Sequence, residues 1–203
     1  MIDLYTWTTA NGLRASVMLA ESGLEYRVHK LHFDRDTKTP EFLAINPAGM
    51  IPVIIDHASA GGSPVTVAQS GAIALYIAEK SKRFLPTDPV RRAAAFQWFM
   101  VVASDVSSAN GAIYFLENET PEKPASILQF FVDRLLRMYT LIDKRLMGRE
   151  FLADELSVAD LMLYPNYFKR KALITSAGGG LMNLHRWGEM MAARPGVQAG
   201  MNI

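Results

Sequence analysis

Two short segments of this sequence put neutral hydrogen-bond donors where a helix is expected to begin. The first is Thr8-Thr9-Ala10-Asn11-Gly12. It interrupts the apolar run of residues 2–7 and precedes a stripe of Leu13, Val17, Ala20 and Leu24. That spacing predicts a helix, with Asn11 as its N-cap and Gly23 as its stop. The Thr9 hydroxyl, the Asn11 amide and the unpaired N–H groups of the first turn are all uncharged donors. Such donors stabilise an anion without competing for its proton, and the helix dipole adds to them. The second segment is Gln69-Ser70, just ahead of Ile73, Tyr76 and Ile77. Ser70 at that helix start suits a carboxylate; the same residue can cap the helix, and the two roles coincide. A third segment, Ile51-Pro52, reads as a turn entering a strand. Ser157-Val158-Ala159-Asp160 has the spacing of a capping box and is assigned to folding.

Other chemistries are narrowed by composition. The chain has 203 residues, no cysteine and a net charge of +1. Without cysteine there is no disulfide, no thiolate metal site and no protein thiol nucleophile. Residues 1–80 hold 6 basic and 8 acidic side chains, and the remainder 15 and 12, so neither half has the basic field that nucleic acid requires. His29 and His32 invite a metal reading, but three apart on a strand they would face opposite sides, so no metal is expected. Lys169-Arg170-Lys171 reads as a solvated helix face, and Met182, Met190 and Met191 as packing. Met1–Tyr5 carries no basic segment followed by an apolar run, and no uncharged apolar run reaches ~18 residues. Neither a secretory leader nor a membrane span is expected.

The elements that position these residues fall in two blocks. Strands are predicted at 2–7, 25–32, 52–56 and 65–67, the last two as a hairpin. Helices are predicted after Asn11, from Pro40 to near Asn46-Pro47 and from Ser70 to Lys80. This is an α/β block. The composition changes at Ser81–Pro89, and everything beyond is helical in pattern: 89–115, 122–147, a helix opening at Ser157, and Leu184–Ala193. A loop is expected at Ala177–Gly180. The division predicted is 1–81, a linker at 82–88, and an all-helical 89–203.

Five segments together carry a family resemblance over nearly the whole chain. They are Tyr5–Gly12; Asn46-Pro47-Ala48-Gly49-Met50-Ile51-Pro52; Gln69-Ser70 through Glu79; Ser157–Asp160; and Asn183–Trp187 through Ala193-Arg194-Pro195. In this order and spacing they resemble a glutathione transferase. Thr9, Asn11 and Gly12, with Asp56-His57, look most like the bacterial Nu class, associated with glutathione-dependent disulfide reduction and peroxide chemistry. Gln69 departs from the Glu usual in that class. The resemblance implies a thioredoxin-like N-terminal domain, an all-α C-terminal domain and a cis-proline at Pro52. It further implies a homodimer, a cytoplasmic location, and glutathione as co-substrate with no metal.

Carried onto this sequence, the resemblance implies that Thr9 and Asn11 hold the glutathione thiolate. Ile51, before Pro52, would pair with the cysteinyl backbone as an added strand would. Gln69 and Ser70 would take the γ-glutamyl end. Lys38 would take the glycyl carboxylate, with Arg14 a weaker candidate. Tyr5 resembles the tyrosine of other classes only loosely. Trp7, Phe99, Ala103, Tyr114 and Phe115 are candidate linings for an apolar co-substrate. The expected activity is transfer or reduction by an activated glutathione thiol, acting on an electrophile, peroxide or disulfide. The alternative is a non-catalytic binding or regulatory protein of the same fold.

Overall fold

A computed structural model describes residues 1–176 and 180–203. Of the loop expected at Ala177–Gly180, only Gly180 lies within them. The chain forms two compact units: Met1–Leu85 with Ala192–Ile203, and Pro86–Met191.

The first unit is built on a four-stranded sheet in the order β2-β1-β3-β4. The strands are β1 (Ile2–Thr6), β2 (Tyr26–Lys30), β3 (Val53–Asp56) and β4 (Val65–Ala68). β1 and β2 are parallel, joined through helix α1 (Ala10–Ser22). β3 runs antiparallel to β1, and β4 antiparallel to β3. Helix α2 (Pro40–Ile45) precedes β3, and helix α3 (Ser70–Ser81) follows β4. This is the thioredoxin-like arrangement. Leu4 and Ile54 of the sheet, Leu13, Val17 and Leu19 of α1, and Ile73 and Ile77 of α3 are all inaccessible or nearly so. Each such side chain contributes roughly 1.5–3 kcal/mol by leaving water, which fixes α1 and α3 against the sheet. Gly23, in the left-handed region at φ 74°, ends α1 as its sequence position suggested.

A short last helix, α9 (Pro195–Met201), also belongs to this unit and packs on α1. The sequence pattern did not single it out, because Pro-Gly-Val-Gln-Ala-Gly-Met has too few large apolar residues to form a stripe. Close approach of the backbones replaces the stripe. A Cβ on Gly200 would sit 2.5 Å from the Cα of Val17, so only glycine permits the contact. The Ser16 hydroxyl donates to the Gly200 carbonyl at 2.6 Å, and Arg194 grips Glu21 with two bonds of 2.9 and 2.8 Å. Residues 192–203 thus group with the sheet, not with the helical block to which the sequence pattern assigned them.

Among the described residues the regular elements of the second unit are all helices: α4 (Pro89–Met100), α5 (Ser107–Asn118), α6 (Ala125–Arg145), α7 (Val158–Ser176) and α8 (Met182–Ala192). Between α4 and α5, Val101–Val106 is wound as a π-helix, so the backbone stays helical from Pro89 to Asn118. By length and composition this segment could cross a membrane. Its Trp98, Phe99, Val102, Val106, Ala109 and Ile113 are nevertheless buried in the helical unit, as in a core helix. At the start of α7, the Ser157 backbone N–H and hydroxyl both donate to Asp160, and the Ser157 oxygen accepts from Ala159 N–H. That is the capping box expected from the spacing.

Candidate functional site

Helix α1 starts two residues earlier than the sequence suggested, and this changes what Asn11 does. Thr9, not Asn11, is the N-cap. Its backbone is extended (φ −76°, ψ 160°) and its Oγ1 accepts the Gly12 N–H at 3.1 Å. Asn11 falls in the first turn, exposed and free of capping duty. Gly12 makes the tight entry possible: a Cβ there would lie 2.0 Å from the Trp7 carbonyl oxygen. The Thr9 oxygen takes the Gly12 N–H, so its own O–H proton is left to donate elsewhere.

Arg14 lies one turn further along α1 and is 3% exposed. Its Nη1 donates to Asn11 Oδ1 at 2.7 Å and to Ser70 Oγ at 3.4 Å. The sequence reading offered Arg14 as a minor candidate for a ligand carboxylate; these two contacts run to polar side chains of the protein itself. Ser70 is the first residue of α3, and Gln69 before it is the N-cap, at φ 72° and ψ 120°. A glutamine held there costs ~1–3 kcal/mol of backbone strain, the kind of outlier found where a chain is shaped for a ligand.

The third wall is the loop leading into β3. Asn46 holds it: its Nδ2 donates to the Met50 carbonyl at 2.7 Å and its Oδ1 accepts from the Ala48 N–H at 3.3 Å. The Ile51–Pro52 bond is cis. Ile51 lies outside the ladder of β3, which begins at Val53, so its backbone N–H and C=O are not taken up by strand pairing. Lys38, exposed at the end of a short 3-10 turn, donates to the Gly49 carbonyl at 2.8 Å. That uses one of its three N–H donors and ties its charge to this loop.

Asn11, Asn46, Met50, Ile51, Pro52, Gln69 and Ser70 line one open pocket. Of the seven residues read from the sequence as site residues, five line it, and Thr9 and Lys38 do not. Thr9 bonds to the first turn beside Asn11, and Lys38 to the loop that forms one wall. Asn46 and Met50 were missed as lining residues, although both lie in the Asn46–Pro52 segment. No lining residue is ionisable, so the pocket offers neutral donors and backbone.

Tyr5 is engaged elsewhere. Its ring stacks on His29 at 4.6 Å and meets Phe42 edge-on at 6.2 Å, and burial raises its hydroxyl above the ordinary tyrosine range, with Asp3 adding to the effect. His29 and His32 do not oppose each other across a strand, because β2 ends at Lys30. His29 Nε2 is 2.9 Å from buried Asp3, which His57 and Arg27 also contact, while His32 pairs with Asp34 and packs on Trp7 and Phe33. Burial works against the Asp3 carboxylate, but its bonds to His29, His57 and Arg27 hold it well below the usual carboxylate range. Among the described residues no group of three or more His, Asp or Glu is placed to hold a metal ion. Of the residues suggested for an apolar co-substrate, Trp7 is half-buried in the first unit. In the second, Phe99 is buried, Ala103 half-buried, and Tyr114 and Phe115 exposed with their rings edge to face.

Residues 1–79 match the glutathione S-transferase N-terminal domain. The chain is similar to the disulfide-bond oxidoreductase YfcG of Escherichia coli K12, 32% identical over 200 residues that span 96% of this chain and 92% of that protein. The disulfide-bond oxidoreductase YghU of the same organism is 28% identical over 98% of this chain and 73% of its own. Among solved structures, a Pseudomonas putida glutathione transferase with one glutathione disulfide bound per subunit superposes with a TM-score of 0.89 and 31% identity. That match covers 100% of this chain and 91% of the other. A Pseudomonas fluorescens family member with two glutathione molecules bound gives a TM-score of 0.89 and 31% identity, over 100% and 92% of the two chains.

Proposed function

The chain belongs to the glutathione S-transferase family, and from that premise we propose that it binds glutathione in the pocket of Asn11, Ile51 and Ser70 and uses its thiolate to reduce disulfides. The observation that carries the proposal is one pocket that gathers Asn11, Ile51, Gln69 and Ser70, with Thr9 and Lys38 bonded to the segments beside it. Ser70 and the N-terminus of α3 suit the γ-glutamyl carboxylate, with Gln69 beside its amine. The free backbone of Ile51 suits the cysteinyl peptide groups. Lys38 supplies a cation at the loop for the glycyl carboxylate. The Asn11 amide, the Thr9 hydroxyl and the α1 N-terminus suit the sulfur.

A thiol titrates near pH ~8.5, and donors at a helix N-terminus lower that value. The nucleophile is then the substrate's own sulfur, consistent with a chain that has no cysteine. The thiolate attacks one sulfur of a disulfide; a new S–S bond forms and the other sulfur leaves as a thiolate that takes up a proton. A second glutathione thiolate attacks the mixed disulfide, giving glutathione disulfide and a second free thiol. The two electrons come from the two glutathione thiols. Two relatives named disulfide-bond oxidoreductases, and two neighbours holding glutathione disulfide or two glutathiones, support this reaction over addition to an electrophile. Peroxide reduction would use the same thiolate. The reaction consumes reduced glutathione, whose reducing pool is cytosolic, so the cytoplasm is the proposed location.

Calorimetry tests the binding. Ser70→Ala is expected to weaken glutathione binding by ~1.5–3 kcal/mol, the loss of one hydrogen bond to a charged group. Wild-type protein that fails to bind at millimolar glutathione would sink the proposal. We also propose a homodimer, the commonest closed assembly. Light scattering at micromolar concentration is expected to give twice the mass of the 22.5 kDa chain, and the monomer mass would contradict it.

A further inference from the structure

One nitrogen of a buried side chain touches both polar ends of the pocket. Arg14 Nη1 carries two hydrogens; one points to Asn11 Oδ1 at 2.7 Å and the other, more weakly, to Ser70 Oγ at 3.4 Å. A guanidinium has donors and no acceptor. The amide atom facing it must therefore be the oxygen, and the Asn11 NH2 group must point away from Arg14. By the same logic Ser70 offers a lone pair to Arg14 and keeps its O–H proton for another acceptor. Both residues line the pocket. Arg14 itself is fixed, being 3% exposed on a helix that α9 and α3 hold in place.

We propose that Arg14 is a positioning residue that sets donor polarity at both ends of the pocket, turning the Asn11 NH2 group toward the thiol sulfur and the Ser70 O–H toward the γ-glutamyl carboxylate. This rests on reading the pocket as a glutathione site. An asparagine amide presents either face with little preference, and an oxygen turned toward a thiolate would repel it. A cation bonded to the oxygen removes that alternative and polarises the amide, strengthening its N–H donors. The sequence spacing is what brings the two together, since residues three apart on a helix share a face.

The test follows thiolate absorbance of protein-bound glutathione against pH, with steady-state kinetics on a small disulfide. Arg14→Met keeps the apolar stem and removes every donor. It is expected to move the thiolate midpoint up by about one pH unit, the size of one hydrogen bond to a charged group. It should also raise KM for glutathione, because Ser70 loses its fixed polarity. Arg14→Lys, which still donates to Asn11, should restore most of the midpoint. In an Asn11→Ala background, Arg14→Met should move the midpoint by less than half as much, because the effect passes through Asn11. If Arg14→Met does not fold, Arg14→Gln takes its place: an amide can present either an N–H or a C=O, so it no longer fixes the polarity. An unchanged midpoint in the folded variant overturns the proposal. So does an equal shift with and without Asn11, which would indicate a general structural or charge effect. A wild-type protein that binds no glutathione at millimolar concentration refutes the glutathione reading itself, a result distinct from either of these.

Discussion

Replacing Asn11 by alanine is expected to lower turnover by about 100-fold or more while weakening glutathione binding far less. A preorganised donor aimed at developing negative charge is typically worth a factor of 10²–10³ in rate. Under the proposed function Asn11 is such a donor. It is exposed in the first turn of α1, its oxygen is taken by Arg14, and Thr9 relieves it of capping. The tripeptide would still have Ser70, Gln69, Lys38 and the Ile51 backbone to hold it, so the loss falls on the reacting sulfur. Kinetically this means kcat and kcat/KM falling together. The thiolate midpoint of bound glutathione should rise at the same time. Thr9→Ala should act in the same direction, though Thr9 also caps α1, so its effect will mix activity with stability. Tyr5→Phe should do little, since that ring packs on His29 and Phe42 and does not line the pocket. Turnover that survives Asn11→Ala and vanishes with Tyr5→Phe would name a tyrosine as the activator and overturn the assignment.

The largest effect on stability is expected at Asp160. Its carboxylate is completely buried and accepts four hydrogen bonds. Leu152 N–H and Trp187 Nε1–H meet Oδ1 at 3.0 and 3.1 Å; the Ser157 N–H and hydroxyl meet Oδ2 at 3.2 and 2.9 Å. This one side chain ties the loop before α7, the first turn of α7 and helix α8 together. Asp160→Ala would strand the donors in a dry interior at ~1–3 kcal/mol each before relaxation, so a loss of about 3–5 kcal/mol is expected. For a chain of this length that lowers the melting temperature by roughly 10 °C. Melting within ~2 °C of wild type would show that the network contributes little.

A pH signature accompanies it. Burial pushes the Asp160 carboxyl up to about 6, with the four donors pulling the other way. In the unfolded chain the group titrates near ~3.9. A raised folded value means that the native state holds the extra proton. The stabilising contribution is therefore fully present below about pH 4 and is lost as pH rises through 6. Compared with Asp160→Asn, which does not titrate, wild type should gain stability between pH 7 and pH 4, by up to ~3 kcal/mol. Paired denaturant titrations at the two pH values measure the difference, and a constant gap would refute the assignment.

Both predictions depend on local signals that were already legible in the residues. Ser157 and Asp160 announce a capping box by spacing alone, because the box is a contact between residues three apart. Gly23 ends its helix for the same kind of reason, and short apolar runs place all four strands. The pocket lining was legible to a similar degree: Asn11, Ile51, Pro52, Gln69 and Ser70 stand at element boundaries, and boundaries are where backbone donors are free.

What was not legible depends on contacts that no sequence pattern announces, most of them between residues distant in the chain. Asn11 looked like the cap because nothing local separates it from Thr9; the decision came from Gly12, whose missing side chain lets α1 begin under the Trp7 carbonyl. The Trp187 and Leu152 bonds to Asp160 join residues 27 and 8 apart, so a capping box in sequence became a buried crosslink only in three dimensions. Helix α9 has no apolar stripe to announce it and is held by backbone contact with α1 across 184 residues. Arg14 lies 56 residues from Ser70, and no periodicity relates an arginine on one helix to a serine opening another. The sequence by itself determined which donors this protein offers and that its nucleophile is not a cysteine of its own. Only the tertiary structure decided which way those donors point, because orientation is set by whatever packs behind them.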